Sequence, residues 1–135
     1  MFDNIPMTSY TAPKRLSRRQ LTEDVFDKQN YERDNLLNAN FSIIGRVDTI
    51  TLPPITEYAR LNLNHLQAFN IFHYKSTSFT ERKNYSSFLI AYTYNGMGTL
   101  IYRDKEYSLT SGDGFFINCM DYHFSKAPGA KWDVA

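Results

Sequence analysis

An antiparallel β-sandwich or barrel is the fold class predicted by three features of the sequence. Three apolar or aromatic runs of strand length, residues 88–94, 99–103 and 115–117, follow one another closely. They are separated by Asn95-Gly96-Met97-Gly98, Arg103-Asp104-Lys105-Glu106 and Ser111-Gly112-Asp113-Gly114. Gly, Asn and Asp supply the positive φ angles that tight hairpins need. The third feature is an excess of aromatics, ten Tyr and ten Phe against one Trp. Tyrosine's apolar ring and polar tip suit both a barrel core and a pocket for a polar ligand.

Taken in order, residues 1–16 hold Pro6 and Pro13 and show no sustained period, which predicts an arm or coil. Ser17 and Gln20 have capping-box spacing, and Thr22 precedes Glu23 and Asp24, acids well placed for the positive end of a helix dipole. Leu21, Val25, Phe26, Leu36 and Leu37 could line one stripe of a broken helix. Residues 41–52 are rich in Ile, Val and Thr and change phase near Gly45, which predicts one strand carrying a bulge, ended by Pro53-Pro54. Residues 66–74 resume strand character with apolar residues on both faces, as for a strand covered on both sides. The polar run 76–84 predicts a loop, Gly96-Met97-Gly98 a hairpin, and Ala127-Pro128-Gly129 a turn into a strand beginning at Trp132. A strand starting so near the last residue predicts that the sequence is a piece of a longer chain.

Composition excludes several classes. At 135 residues the chain is one domain's worth, able to bury roughly two thirds of its unfolded surface. The net charge of +1 gives no electrostatic footprint for nucleic acid, and the cluster Lys14, Arg15, Arg18, Arg19, followed by Glu23, Asp24 and Asp27, reads as a solvated face. No apolar run approaches the roughly 18 residues of a membrane span. The single Cys119 rules out an intramolecular disulfide, and no secretory leader is evident, so a soluble cytoplasmic protein is expected.

Gly112-Asp113, an apolar strand and His123 resemble the second motif of the cupin superfamily, in which a Gly-Asp turn feeds a strand and a His follows eleven residues after the Gly. Asn118 stands where that pattern has Pro, and Met120 where it has Gly. The wider stretch resembles the N-terminal regulatory domain of AraC-type transcriptional regulators, through Arg82, Phe88, Tyr92, Gly96, Gly98, Gly112, Asp113, Cys119, His123, Phe124, Trp132 and Asp133. The resemblance spans residues 82–135 and hardly touches the first sixty. It implies a mainly β fold, a cupin-like double-stranded β-helix (jelly-roll barrel), which together with the strand signals above occupies residues 41–135; the N-terminal arm (1–40) with short helical segments rests on the residue pattern alone. The resemblance also implies a small-molecule effector, a homodimer, and contact with DNA only through a helix-turn-helix domain beyond Ala135.

Enzymatic cupins hold a metal with two His and a Glu of their first motif and the His of their second. Here the Glu position falls on Leu89, and the His positions on Lys83 and Tyr85, or on Arg82 and Asn84. No metal and no cofactor are therefore expected, since a cation needs several convergent donors. Tyr92, Tyr102, His123 and Trp132 are the expected ligand-binding residues, chosen as polar-tipped side chains on barrel strands or at the mouth. His123 has a second reading, a barrel-mouth imidazole bonded to a backbone carbonyl. His65 and His73 read as structural, and Cys119 as a small buried hydrophobe. Glu57 and Glu81 are isolated, so no acid–base pair is assignable. The expected function is a metal-free effector-binding and dimerisation domain, with a sugar as one effector class. A metal-dependent cupin enzyme (sugar isomerase or dioxygenase) and a stand-alone carbohydrate-binding barrel are the alternatives.

Overall fold

The structure is a computed structural model that describes residues 4–12 and 38–135. Among the described residues the strands are β1 (Thr8–Ala12), β2 (Asn38–Ser42), β3 (Gly45–Thr49), β4 (Asn70–Lys75), β5 (Phe79–Lys83), β6 (Phe88–Tyr102), β7 (Lys105–Thr110), β8 (Gly114–Asn118), β9 (His123–Lys126) and β10 (Lys131–Val134), with one helix, α1 (Glu57–Asn62). All the strand pairs are antiparallel, and the path runs β1-β3-β4-β10-β6-β9-β5-β2, with β7 and β8 also paired to β6. Among the described residues no helix is long and apolar enough to cross a membrane.

β6 is the hub, because successive parts of it pair with β8, β10, β7 and β9. Residues 88–92 pair with β8, and residues 93–96 with β10. Residues 97–102 pair with β7, and 99–102 also with β9. The hairpin expected at Gly96-Met97-Gly98 is thus absent, and a single strand runs through it. Asp133 faces Asn95 while Val134 faces Thr93, so Tyr94 is the extra residue of a bulge, and Gly96 at φ +78° relieves the backbone there. The true hairpin lies between β6 and β7. There Arg103 and Asp104, at φ 51° and 61°, occupy the two positive-φ positions of a tight two-residue turn.

Four other expectations change. The single bulged strand over 41–52 is two strands, β2 pairing with β5 and β3 with β1 and β4. Gly45 at φ +132° starts β3, and a side chain there would strike the carbonyl of His73. The polar run 76–84 contains β5, held between β2 and β9, so pairing overrides its composition. The irregular stretch before β4 contains α1, whose Thr56 hydroxyl accepts from the Ala59 N–H at 3.2 Å as an N-cap. Within the arm, Thr8–Ala12 is a strand laid on β3. The helical segments expected around Ser17 and Thr22 lie outside the described residues.

The core gathers the inward face of the curled sheet, with Val47, Tyr74, Ala91, Leu100, Leu109, Ile117, Cys119, Ala127, Trp132 and Val134 in one cluster. The Trp132 indole is tilted on Tyr74 at 5.5 Å between centroids, and Tyr74 stacks on Phe72 at 5.0 Å. The indole also lies against Gly98, where a Cβ would overlap its ring atoms. Gly98 is therefore glycine for proximity, since its φ is not in the positive range.

Candidate functional site

Three chemically active side chains form one cross-strand row on the inner face. Arg82 on β5 faces His123 on β9, which faces Tyr102 on β6. His123 is 2% exposed, and its Nδ1 lies 3.1 Å from the Asp121 carbonyl oxygen. That oxygen can only accept, so Nδ1 carries the proton and Nε2 presents a lone pair. Burial pushes the imidazole below its ordinary pKa and the nearby Arg82 charge adds to this, outweighing the opposing carbonyl bond, so the ring is neutral at pH 7. A neutral imidazole of this tautomer can accept a hydrogen bond from a ligand hydroxyl.

Tyr102 extends the row toward the surface. Its hydroxyl donates to Asp121 Oδ2 at 2.9 Å, and the same oxygen takes the Arg103 Nε–H at 2.8 Å. The bond from Arg103, then that from Tyr102, hold the Asp121 carboxyl below its usual range. The Arg103 guanidinium also lies 5.1 Å from the centre of the Tyr102 ring. Asp121 contributes to the wall of a cleft of about 270 Å³ lined by Lys83, Arg103, Asp104, Met120, Asp121 and Tyr122. The cleft thus adjoins the Tyr102 end of the row. The field of Arg82 reaches two further buried groups, Tyr74 and Cys119, whose ionisations burial pushes up while the guanidinium opposes the shift.

Of the four residues expected to bind ligand, the structure brings Tyr102 and His123 together as register partners. Trp132 is 2% exposed and spends its indole N–H on Thr93 Oγ1 at 3.0 Å, deep in the core. Tyr92 is 36% exposed on the outward face of β6, opposite the inward Ala91 and Thr93. Local pattern identifies the strand but not which side Tyr92 faces, because both faces of residues 88–94 are apolar. Arg82 is not among the expected site residues, because the polar run 76–84 predicts a loop. No local alternation marks it, since Phe79 and Glu81 share one face and Thr80 and Arg82 the other, with polar residues on both.

A second polar cluster occupies the outward face of β3, β4 and β10, opposite the inward Val47, Tyr74 and Trp132. His73 Nε2 lies 2.9 Å from Asp48 Oδ2 and 2.8 Å from Arg46, while Nδ1 lies 3.2 Å from Asp133 Oδ1 and 3.4 Å from the Tyr94 hydroxyl. Ser9 on β1 donates to Asp48 at 2.6 Å, and Lys131 and Asn95 reach Asp133 at 2.9 and 3.2 Å. Burial pushes the Asp48 carboxyl up, but the bonds from Ser9 and His73 and the Arg46 charge outweigh it and leave it below its usual range. Burial and the two carboxylates push the Tyr94 phenol up to about 12. The cluster ties β1, β3, β4, β10 and β6 together, which gives His73 the structural role the sequence assigned it.

The donor set does not fit the metal of enzymatic cupins. Leu89, Lys83, Asn84, Tyr85 and Arg82 hold the first-motif positions, and a guanidinium beside His123 repels a cation. Around His73 the two carboxylates sit at opposite ring nitrogens and do not converge. Among the described residues no group of three His, Cys, Asp or Glu is placed to hold a metal.

Residues 68–134 match the family described as the AraC-like ligand binding domain. No curated protein matches the chain. Solved structures of similar fold include a predicted oxalate decarboxylase from Thermotoga maritima, with 17% identity, 76% of this chain and 91% of that one covered, and a TM-score of 0.51. Another is a cupin superfamily protein from Desulfitobacterium hafniense, with 10% identity, 63% and 89% covered, and a TM-score of 0.36. At 17% identity the likeness to the Thermotoga protein concerns the fold alone, and it agrees with the cupin-like double-stranded β-helix expected from the sequence.

Proposed function

Residues 68–134 belong to the AraC-like ligand binding domain family, and from that premise we propose that the chain is the effector-sensing and dimerisation domain of a cytoplasmic AraC-type transcriptional regulator. The observation that carries the reading is the inward row of Arg82, His123 and Tyr102. It offers a donor, a neutral acceptor and a hydroxyl at one end of an aromatic-rich barrel, the combination that orients a small polar ligand such as a sugar. The role is sensing and not catalysis, since the row holds no carboxylate pair and no donor set for a metal. Effector binding acts by linkage. A ligand that prefers one arrangement of the domain shifts the population by its differential affinity, and a DNA-binding domain elsewhere in the regulator reports the shift.

The test is a thermal-shift screen of the chain against sugars, sugar phosphates and small organic acids, with and without a chelator. An effector at a hundred times its dissociation constant stabilises the fold by about 2.7 kcal/mol. The expected hit persists with chelator and disappears in His123→Gln and Arg82→Gln. A hit that needs a divalent metal, or one indifferent to both substitutions, overturns the reading.

A further inference from the structure

The row of Arg82, His123 and Tyr102 has a fixed hydrogen-bond polarity, and that polarity narrows what it can hold. His123 gives its Nδ1 proton to the Asp121 carbonyl at 3.1 Å, so Nε2 can only accept, and among the described residues Nε2 makes no hydrogen bond. The ring is buried, so bulk water is a poor substitute for a donor there. Tyr102 spends its one proton on Asp121 Oδ2 at 2.9 Å. The Asn118 N–H, at 3.4 Å, uses one lone pair of the same hydroxyl and leaves another to accept. Asp121 therefore sets both residues as acceptors, His123 through its carbonyl and Tyr102 through its carboxylate.

Arg82 has the opposite polarity, since a guanidinium donates and never accepts. Its charge is felt inside the barrel. It opposes the rise that burial imposes on the Tyr74 phenol and the Cys119 thiol, and it adds to the lowering of His123. All three effects favour negative charge or disfavour positive charge in that interior. The other two members of the row are neutral, and Asp121, beyond Tyr102, is bonded to Arg103 at 2.8 Å. A complementary ligand thus brings oxygen acceptors and negative charge to Arg82, and hydroxyl donors to His123 and Tyr102. Adjacent strands lie about 4.8 Å apart, so the row spans roughly 10 Å and one small molecule can reach all of it.

We propose that the effector is a hydroxycarboxylic acid, a sugar acid or a shorter relative, with its carboxylate on Arg82 and its hydroxyls donating to His123 Nε2 and the Tyr102 oxygen. A carboxylate suits the row better than a phosphate. The guanidinium fork matches the two oxygens of a carboxylate, whereas a phosphate monoester brings about two negative charges to a row with one cation. A neutral sugar supplies donors for His123 and Tyr102 but no charge to meet Arg82. The proposal rests on the effector-site reading above and names its ligand class, and the test below separates the two.

Isothermal titration calorimetry on the whole chain provides the test, with lactate, glycerate, tartrate, gluconate and galacturonate as probes. At least one of these acids is expected to bind at least about tenfold more tightly than its neutral methyl ester, and more tightly than butanoate, an acid without hydroxyls. Arg82→Gln is expected to bring the acid down to the level of its ester. Arg82→Lys, which keeps the charge and loses the fork, is expected to fall between. Tyr102→Phe is expected to narrow the gap between the hydroxy acid and butanoate while keeping the preference for acid over ester. A merely structural role for Arg82 would weaken acid and ester alike, and that result overturns the proposal. So does an ester or butanoate that matches the hydroxy acid, a sugar phosphate that binds more tightly than every acid, or silence from all five acids. The sensing reading then stands if the wider screen of sugars and sugar phosphates gives a hit, and falls as well if that screen is silent.

Discussion

Replacing Gly98 by Ala places a methyl group inside the Trp132 indole, overlapping Cδ2, Cε2 and Cζ2. The backbone at Gly98 tolerates alanine, so the cost arises from packing alone. The indole has little room to retreat, because Tyr74 lies against it at 5.5 Å and its N–H is bonded to Thr93 at 3.0 Å. Overpacking a close-packed core costs about 1–3 kcal/mol, and a displaced ring forfeits a hydrogen bond worth about 1 kcal/mol. The expected loss is therefore about 2–4 kcal/mol, or about 8–16 °C in Tm for a domain of this size. Urea unfolding measures it, with fluorescence as the probe, since Trp132 is the sole tryptophan and its emission also reports any shift of the ring. Gly129→Ala, where an added Cβ meets nothing within 4 Å, is the control. In a double-mutant cycle, Trp132→Phe should absorb part of the penalty and give a coupling of about 1–2 kcal/mol. A Gly98→Ala midpoint within about 0.5 kcal/mol of wild type, the range of a neutral surface change, would refute the packing argument.

Further outcomes follow from the two polar clusters. His73→Ala leaves the buried carboxylates of Asp48 and Asp133 without their shared partner and should cost about 2–3 kcal/mol in urea unfolding; a loss under about 0.5 kcal/mol would show that the cluster contributes little. The His123 ring should titrate below the ordinary value of about 6.5 by NMR. Since the unfolded chain then binds the proton more readily, stability from this group is present above about pH 6.5 and is lost as pH falls toward the folded pKa, and His123→Gln should remove that part of the slope. A ring titrating at or above the ordinary value would contradict its buried, carbonyl-bonded environment. For Asp48 the folded pKa is lowered, so its contribution is present above about pH 4 and is lost as pH falls through the folded value. Ser9→Ala should shrink that acid-side loss, as read from urea midpoints between neutral and acid pH.

Much of the barrel was legible because β-structure writes itself locally when turn chemistry is strict. The Arg103-Asp104 turn, the Gly112-Asp113 turn with Asp113 capping Thr110 at 2.7 Å, and the strand at Trp132 all stand where the sequence placed them. Legibility failed where the partner decides. Gly96 and Gly98 read as a hairpin because glycine is what hairpins use, yet one relieves a bulge and the other makes room for an indole that comes from β10. β5 read as a loop because Thr-Glu-Arg-Lys is polar, and only its place between β2 and β9 makes it a strand. His73 was assigned a structural role, but its partners Asp48 and Asp133, 25 and 60 residues away in sequence, are invisible to local pattern.

For the site the division is similar. The residue types, their order and the second-motif spacing from Gly112 to His123 determined the class of fold and the family, because these are properties of the chain read along its length. Which side each candidate faces was decided by the tertiary structure alone. Tyr92 and Tyr102 share one strand and an even-numbered spacing, which by strict alternation would set them on the same face. The bulge at Tyr94 breaks that alternation, turning Tyr102 inward beside His123 and leaving Tyr92 on the outer surface. One inserted residue in a pleated strand reverses every side chain beyond it, and no pattern in the sequence of β6 alone fixes where the insertion falls.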